Sequence, residues 1–77
     1  MARGRTLEVE RAILVEALRG ATRTELWLAA RLVSRFISTD EVDQAVNTLL
    51  AAGQLEKTGS RWTTTPAGRA RLDRSTA

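Results

Sequence analysis

Cysteine and histidine are both absent from the sequence. Their absence excludes the usual zinc sites, thiol nucleophiles, Cys-His and Ser-His-Asp catalysis, and any thiol redox role. No disulfide or metal staple supports the fold, and the lack of cysteine fits a reducing, cytoplasmic setting. No stretch approaches membrane-spanning length, and the basic start Met1-Ala2-Arg3-Gly4-Arg5 leads into no apolar signal-peptide core. The expectation is a soluble intracellular protein with no membrane partner. Internal repeats and low-complexity segments are missing as well. Acids such as Glu16, Glu25, Glu41 and Asp43 are present, but no pair converges beside a nucleophile or a recognisable metal set. Neither an enzyme nor a cofactor is expected.

What is present, in 77 residues, makes one domain with no room for a second core or a built-out cleft. A domain of this size buries a modest fraction of its surface, so its core must be efficient or helped by a partner chain. The net charge is +3, from 12 basic and 9 acidic residues, and it is unevenly spread. Between Ser38 and Glu56 stand four acids, Asp40, Glu41, Asp43 and Glu56, with no Lys or Arg. Basic residues lie to either side: Arg3 and Arg5, then Arg23, Arg31 and Arg35, and later Lys57, Arg61, Arg69, Arg71 and Arg74. Such a surface is the footprint of phosphate binding through counterion release; the plainer reading is a solvated basic face.

Local punctuation divides the chain into three helices, a hairpin and a short last helix. The first helix is expected after Thr6 and through Arg19, with Val9, Ile13, Leu14, Ala17 and Leu18 as its apolar stripe, Glu8 and Glu10 at its positive end, and Gly20 as its stop. Thr22-Arg23-Thr24-Glu25 reads as a capping box opening a helix to Val33, with Leu26, Ala29, Ala30 and Val33 inward. Trp27 lies off that stripe and is assigned to burial under the first helix, with a partner-facing role as the alternative. Ser38-Thr39-Asp40-Glu41 repeats the box and opens a third helix to about Ala52. It has Val42, Val46, Leu49 and Leu50 on one face and Asp40, Asp43, Gln44, Asn47 and Ala51 on the other. Gly59-Ser60 then joins two β-prone runs in a type II′ hairpin pairing Thr58 with Arg61 and Lys57 with Trp62, which puts Leu55 and Trp62 on the inner face. Thr65-Pro66 caps a helix from Pro66 to about Asp73. The predicted organisation is a flexible basic arm over 1–5, a domain over 6–73 and a disordered tail over 74–77.

This order predicts an α+β fold, a winged helix-turn-helix with a three-helix core, a β-hairpin wing and a short C-terminal helix. Three segments carry a family likeness: Val42-x-x-Ala45-Val46-x-x-Leu49-Leu50-x-x-Gly53-x-Leu55-Glu56, then Gly59-Ser60-Arg61-Trp62, then Thr63-Thr64-Thr65-Pro66-Ala67-Gly68-Arg69. In these the chain resembles winged-helix transcription regulators of the MarR and PadR kind over most of its length after Thr22. The resemblance implies double-stranded DNA as partner, a third helix in the major groove and a wing on the backbone or minor groove. Carried onto this chain, the helix positions are Thr39, Asp40, Asp43, Gln44 and Asn47, and the wing positions are Lys57, Thr58, Ser60 and Arg61.

Residue chemistry refines that assignment. Gln44 and Asn47 are candidates to read base edges, with simple solvation as the alternative. Lys57 and Arg61 suit phosphate or else protect an edge strand, and Arg23 joins them among the DNA-binding candidates. Arg3 and Arg5 read as a minor-groove arm or as a disordered basic start. Asp40 and Glu41 suit the helix dipole and cap, but Asp43 has no such role. It could accept from a cytosine amino group, sit off the DNA, or mark a surface that meets protein. The acidic helix 39–52 therefore keeps a protein partner in view, and the apolar second helix keeps a homodimer in view.

Overall fold

In the computed structural model, which describes residues 2–76 and the side chains of residues 6–74, the chain opens on a helix, α1 (Ala2–Glu16). Its backbone is helical well before Thr6, which corrects the expected start. Ala2, Arg3 and Arg5 are good helix formers, and the helix runs through Gly4 despite its lower propensity. Glu8 and Glu10 are accordingly not in its first turn. After Glu16 the helix tightens into a 3-10 turn, Ala17–Arg19, and Gly20 turns the chain out with φ +84°. Leu14, near this tightening, accepts a 2.6 Å hydrogen bond at its carbonyl from the buried Thr64 hydroxyl.

The two capping boxes then set the next boundaries. Thr22 Oγ1 accepts from the Glu25 amide at 3.3 Å, and Glu25 Oε1 accepts from the Thr22 amide at 2.8 Å. Helix α2 (Arg23–Val33) starts there. Ser38 and Glu41 make the same exchange at 3.1 and 3.3 Å, opening α3 (Thr39–Ala51). On α2, Leu26, Ala29 and Ala30 are buried as expected, but Val33 at the end of the helix is largely exposed. Ser34 beside it is buried, Arg35 and Phe36 are exposed, and the chain returns to the core at Ile37.

Strands β1 (Leu55–Thr58) and β2 (Arg61–Thr64) pair antiparallel, with Lys57 opposite Trp62 and Thr58 opposite Arg61. Positive φ falls on Gly59 at +62° and not on Ser60, as a type II′ turn requires. Ala21 forms an isolated antiparallel bridge to the second strand. Its amide and carbonyl exchange hydrogen bonds with Trp62 at 2.9 and 2.8 Å, joining the α1–α2 connection to the hairpin. Helix α4 (Pro66–Thr76) follows, longer than expected at its end. Thr65 Oγ1 accepts from the Gly68 amide at 3.2 Å and donates to the Gly53 carbonyl at 2.6 Å, so one hydroxyl caps α4 and holds the turn after α3.

The core lies where three helices meet over the hairpin's inner face. Ile13, Leu14, Leu26, Val42 and Leu49 are fully buried, and Leu55 and Leu72 close the lower edge. Burial of each large aliphatic side chain contributes roughly 1.5–3 kcal/mol. The architecture is α+β: four helices and a two-stranded antiparallel hairpin that follows the first three. Among the described residues, no helix is long and apolar enough to cross a membrane.

Candidate nucleic-acid interface

The exposed face of α3 follows from the burial of the opposite one. With Val42, Ala45, Val46 and Leu49 in the core, about 100° per residue turns Asp40, Gln44, Asn47 and Ala51 outward. Gln44 and Asn47 are both exposed, as the sequence predicts. Gln44 also borders a narrow groove of about 150 Å³ between α1 and α3, shared with Thr6, Glu10, Glu41 and Thr48. Thr39, at the start of α3, is exposed beside Arg23, Thr24 and Trp27 of α2. Trp27 is half-buried at this α2–α3 junction, which corrects its assignment to a position under α1. The Arg31 guanidinium lies 4.8 Å from the centre of its ring.

Asp43, which the sequence leaves without a role, is paired. Its Oδ2 accepts a 2.7 Å charged hydrogen bond from Arg23 Nη2, with side-chain exposures of 42% and 60%. The pair sits on the flank of α3 that faces α2, so the charge of the carboxylate is compensated locally. Arg23 keeps its remaining donors. In an exposed position the pair contributes no more than about 1 kcal/mol to stability, and its main effect is to orient both groups.

The hairpin carries its cations on a tethered scaffold. Arg61 Nη1 is 3.8 Å from Glu25 Oε1 at the start of α2, and Lys57 Nζ lies 5.0 Å from the centre of the Trp62 ring. Thr58 and Ser60 are exposed at the tip. The Glu25 carboxyl is held below its usual value of 4.5, first by the Thr22 backbone amide and next by the Thr22 side chain; slight desolvation opposes this and Arg61 adds to it. The ring contact orients Lys57 without neutralising its charge.

Three groups of predicted residues result. Arg23, Thr39 and Asp43 gather at the α2–α3 junction, Gln44 and Asn47 share the outer face of α3, and Lys57, Thr58, Ser60 and Arg61 lie on the hairpin. Arg3 and Arg5 have helical backbone, but their side chains lie outside the described residues. Arg71, counted with the basic surface, is instead structural. It donates to Glu10 Oε1 and Gln54 Oε1, both at 2.9 Å. Sequence reasoning missed Arg31 as the cation over Trp27, although spacing of four on one helix announces such a contact. It also missed how exposed Leu32 and Phe36 are, at 90% and 89%. Leu32 lies one turn from Leu28, on the side away from Leu26 and Ala30, and that signal was available.

Among the described residues, no three acidic side chains gather as a metal site would require. No protein-family model and no curated protein matches the sequence, so the residues themselves carry the functional argument.

Proposed function

We propose that this domain is a winged helix-turn-helix that binds double-stranded DNA as a small sequence-specific regulator of transcription, reading bases with α3 and gripping phosphate with the wing. The observation that carries the reading is the arrangement around α3. Two amides, Gln44 and Asn47, are exposed on one face of α3, Arg23 of α2 pairs with Asp43 on the flank of the same helix, and the hairpin that follows carries Lys57 and Arg61 exposed. Amide side chains present the donor and acceptor pair that adenine matches, and flanking cations supply the sequence-independent attraction. The order of helices and hairpin supports the same reading, as does the Ala21–Trp62 bridge, which ties the hairpin to the α1–α2 connection.

A salt series of duplex binding tests it. Lys57→Ala with Arg61→Ala should weaken binding about equally across sequences and flatten the salt slope by about one unit for each phosphate no longer neutralised. Gln44→Ala or Asn47→Ala should relax preference at one base pair by about 1–3 kcal/mol. An unchanged slope would remove the hairpin from the interface, and an unchanged preference in both variants would mean that α3 does not read bases, leaving a protein partner as the leading reading. A second reading has its own observation. The segment Thr39–Ala51 carries Asp40, Glu41 and Asp43 and no cation, which suits a basic protein partner laid on α3.

A further inference from the structure

The outer edge of α2 is apolar and uncovered. Leu28 is 51% exposed, Leu32 90%, and Phe36, in the turn after the helix, 89%. Leu28 and Leu32 stand one turn apart on the same side, beside an open groove of about 490 Å³ that runs between Glu16 of α1 and Ala29 of α2. Single exposed leucines are ordinary, but apolar side chains of this size gathered along one edge mark a surface that is covered in use.

The charges along the edge say what covers it. Glu25 lies three residues before Leu28, and Arg35 lies three residues after Leu32. Glu25 stands in the first turn of α2 and Arg35 in the turn just after its end, so the edge runs acid, Leu28, Leu32, base, and is the same from either end once its charges are exchanged. Turned antiparallel against itself, it sets Leu28 of each copy on Leu32 of the other and brings each Glu25 to an Arg35. A two-fold axis demands such self-complementarity. We propose that a second copy of this chain docks here, in an antiparallel α2–α2 contact with Leu28 and Leu32 at its centre, Phe36 at its rim and two Glu25–Arg35 pairs at its ends.

Both charges are available for this. The Glu25 side chain remains 48% exposed although it caps α2 and approaches Arg61. Arg35 is exposed with its guanidinium 5.9 Å from the centre of the Phe36 ring, and among the described residues it has no carboxylate partner. Trp27 and Arg23 lie on the flank of α2 nearer α3, whereas Leu28 and Leu32 lie about 100–140° further round the helix. The contact thus leaves the outer face of α3 free, and the proposal does not depend on DNA being the partner there.

Mass measured by sedimentation equilibrium across a dilution series tests it. The expected result is a reversible monomer–dimer equilibrium for the unaltered chain, weakened about a hundredfold or more by Leu32→Glu. Arg35→Glu and Glu25→Lys should each weaken self-association about tenfold or more, because each sets like charges opposite one another. Mixing those two variants should restore a dimer, since both end pairs are then of opposite sign. Circular dichroism establishes that each variant is folded. A monomer at every concentration, an unchanged equilibrium for Leu32→Glu, or failure of the mixed variants to pair would overturn the proposal.

Discussion

A side chain at position 68 would collide with the turn that precedes the wing. A Cβ placed on Gly68 meets the Gln54 carbonyl oxygen and comes within 2.6 Å of Thr64 Cγ2. Alanine is ordinarily worth up to about 1 kcal/mol more than glycine inside a helix, but here the close approach of α4 to backbone decides the residue. Gly68→Ala should therefore lower stability by about 1–3 kcal/mol in urea denaturation. A neutral result would mean that α4 shifts away from Gln54 without loss. Nothing in Thr65-Pro66-Ala67-Gly68 announces this contact, because Gln54 comes from another part of the chain. Asp43 was illegible for the same reason. Its partner is twenty positions away on another helix, and neither residue looks unusual alone.

Elements were most legible where their signals are local. Both capping boxes, the hairpin register and the Thr65 cap follow from short-range chemistry, and the structure has them as the sequence predicts. The first helix was less legible at its start, since Thr6 resembles a cap but the residues before it favour helix. The Ala21 bridge left no trace, because one residue cannot show a period of two. Of the caps, the one on α2 makes a pH-dependent contribution. Glu25 has a lowered pKa in the folded chain, so its stabilisation is fully present above its unfolded value and is lost as pH falls through the folded one. Melting temperatures measured from neutral to acid pH should show Glu25→Gln least stable relative to the native chain at neutral pH, with the gap closing in acid. A gap that widened in acid would mean that the carboxylate is not the stabilising form.

At the scale of the molecule, the two ends of the chain are joined by charge. Glu10 is only 8% exposed and faces Arg71 of α4, which also holds Gln54, so one guanidinium links α1, α4 and the turn after α3. Removing one member of a buried pair leaves the other uncompensated, whereas replacing both with apolar groups is often tolerated. Glu10→Ala should cost about 2–3 kcal/mol in chemical denaturation, and Glu10→Leu with Arg71→Leu should cost less. Equal losses would show that packing rather than charge dominates there. The Ala21–Trp62 bridge has a consequence of another kind. It clamps the hairpin at Trp62, one pair short of the turn, so thermal excursions are confined to the last pair, Thr58 and Arg61, and to Gly59 and Ser60 beyond it. Ordering a backbone costs about 1–2 kcal/mol per residue, and here that cost falls on those residues at the tip instead of a whole loop. A binding partner thus meets Arg61 on a support that has already given up most of its freedom.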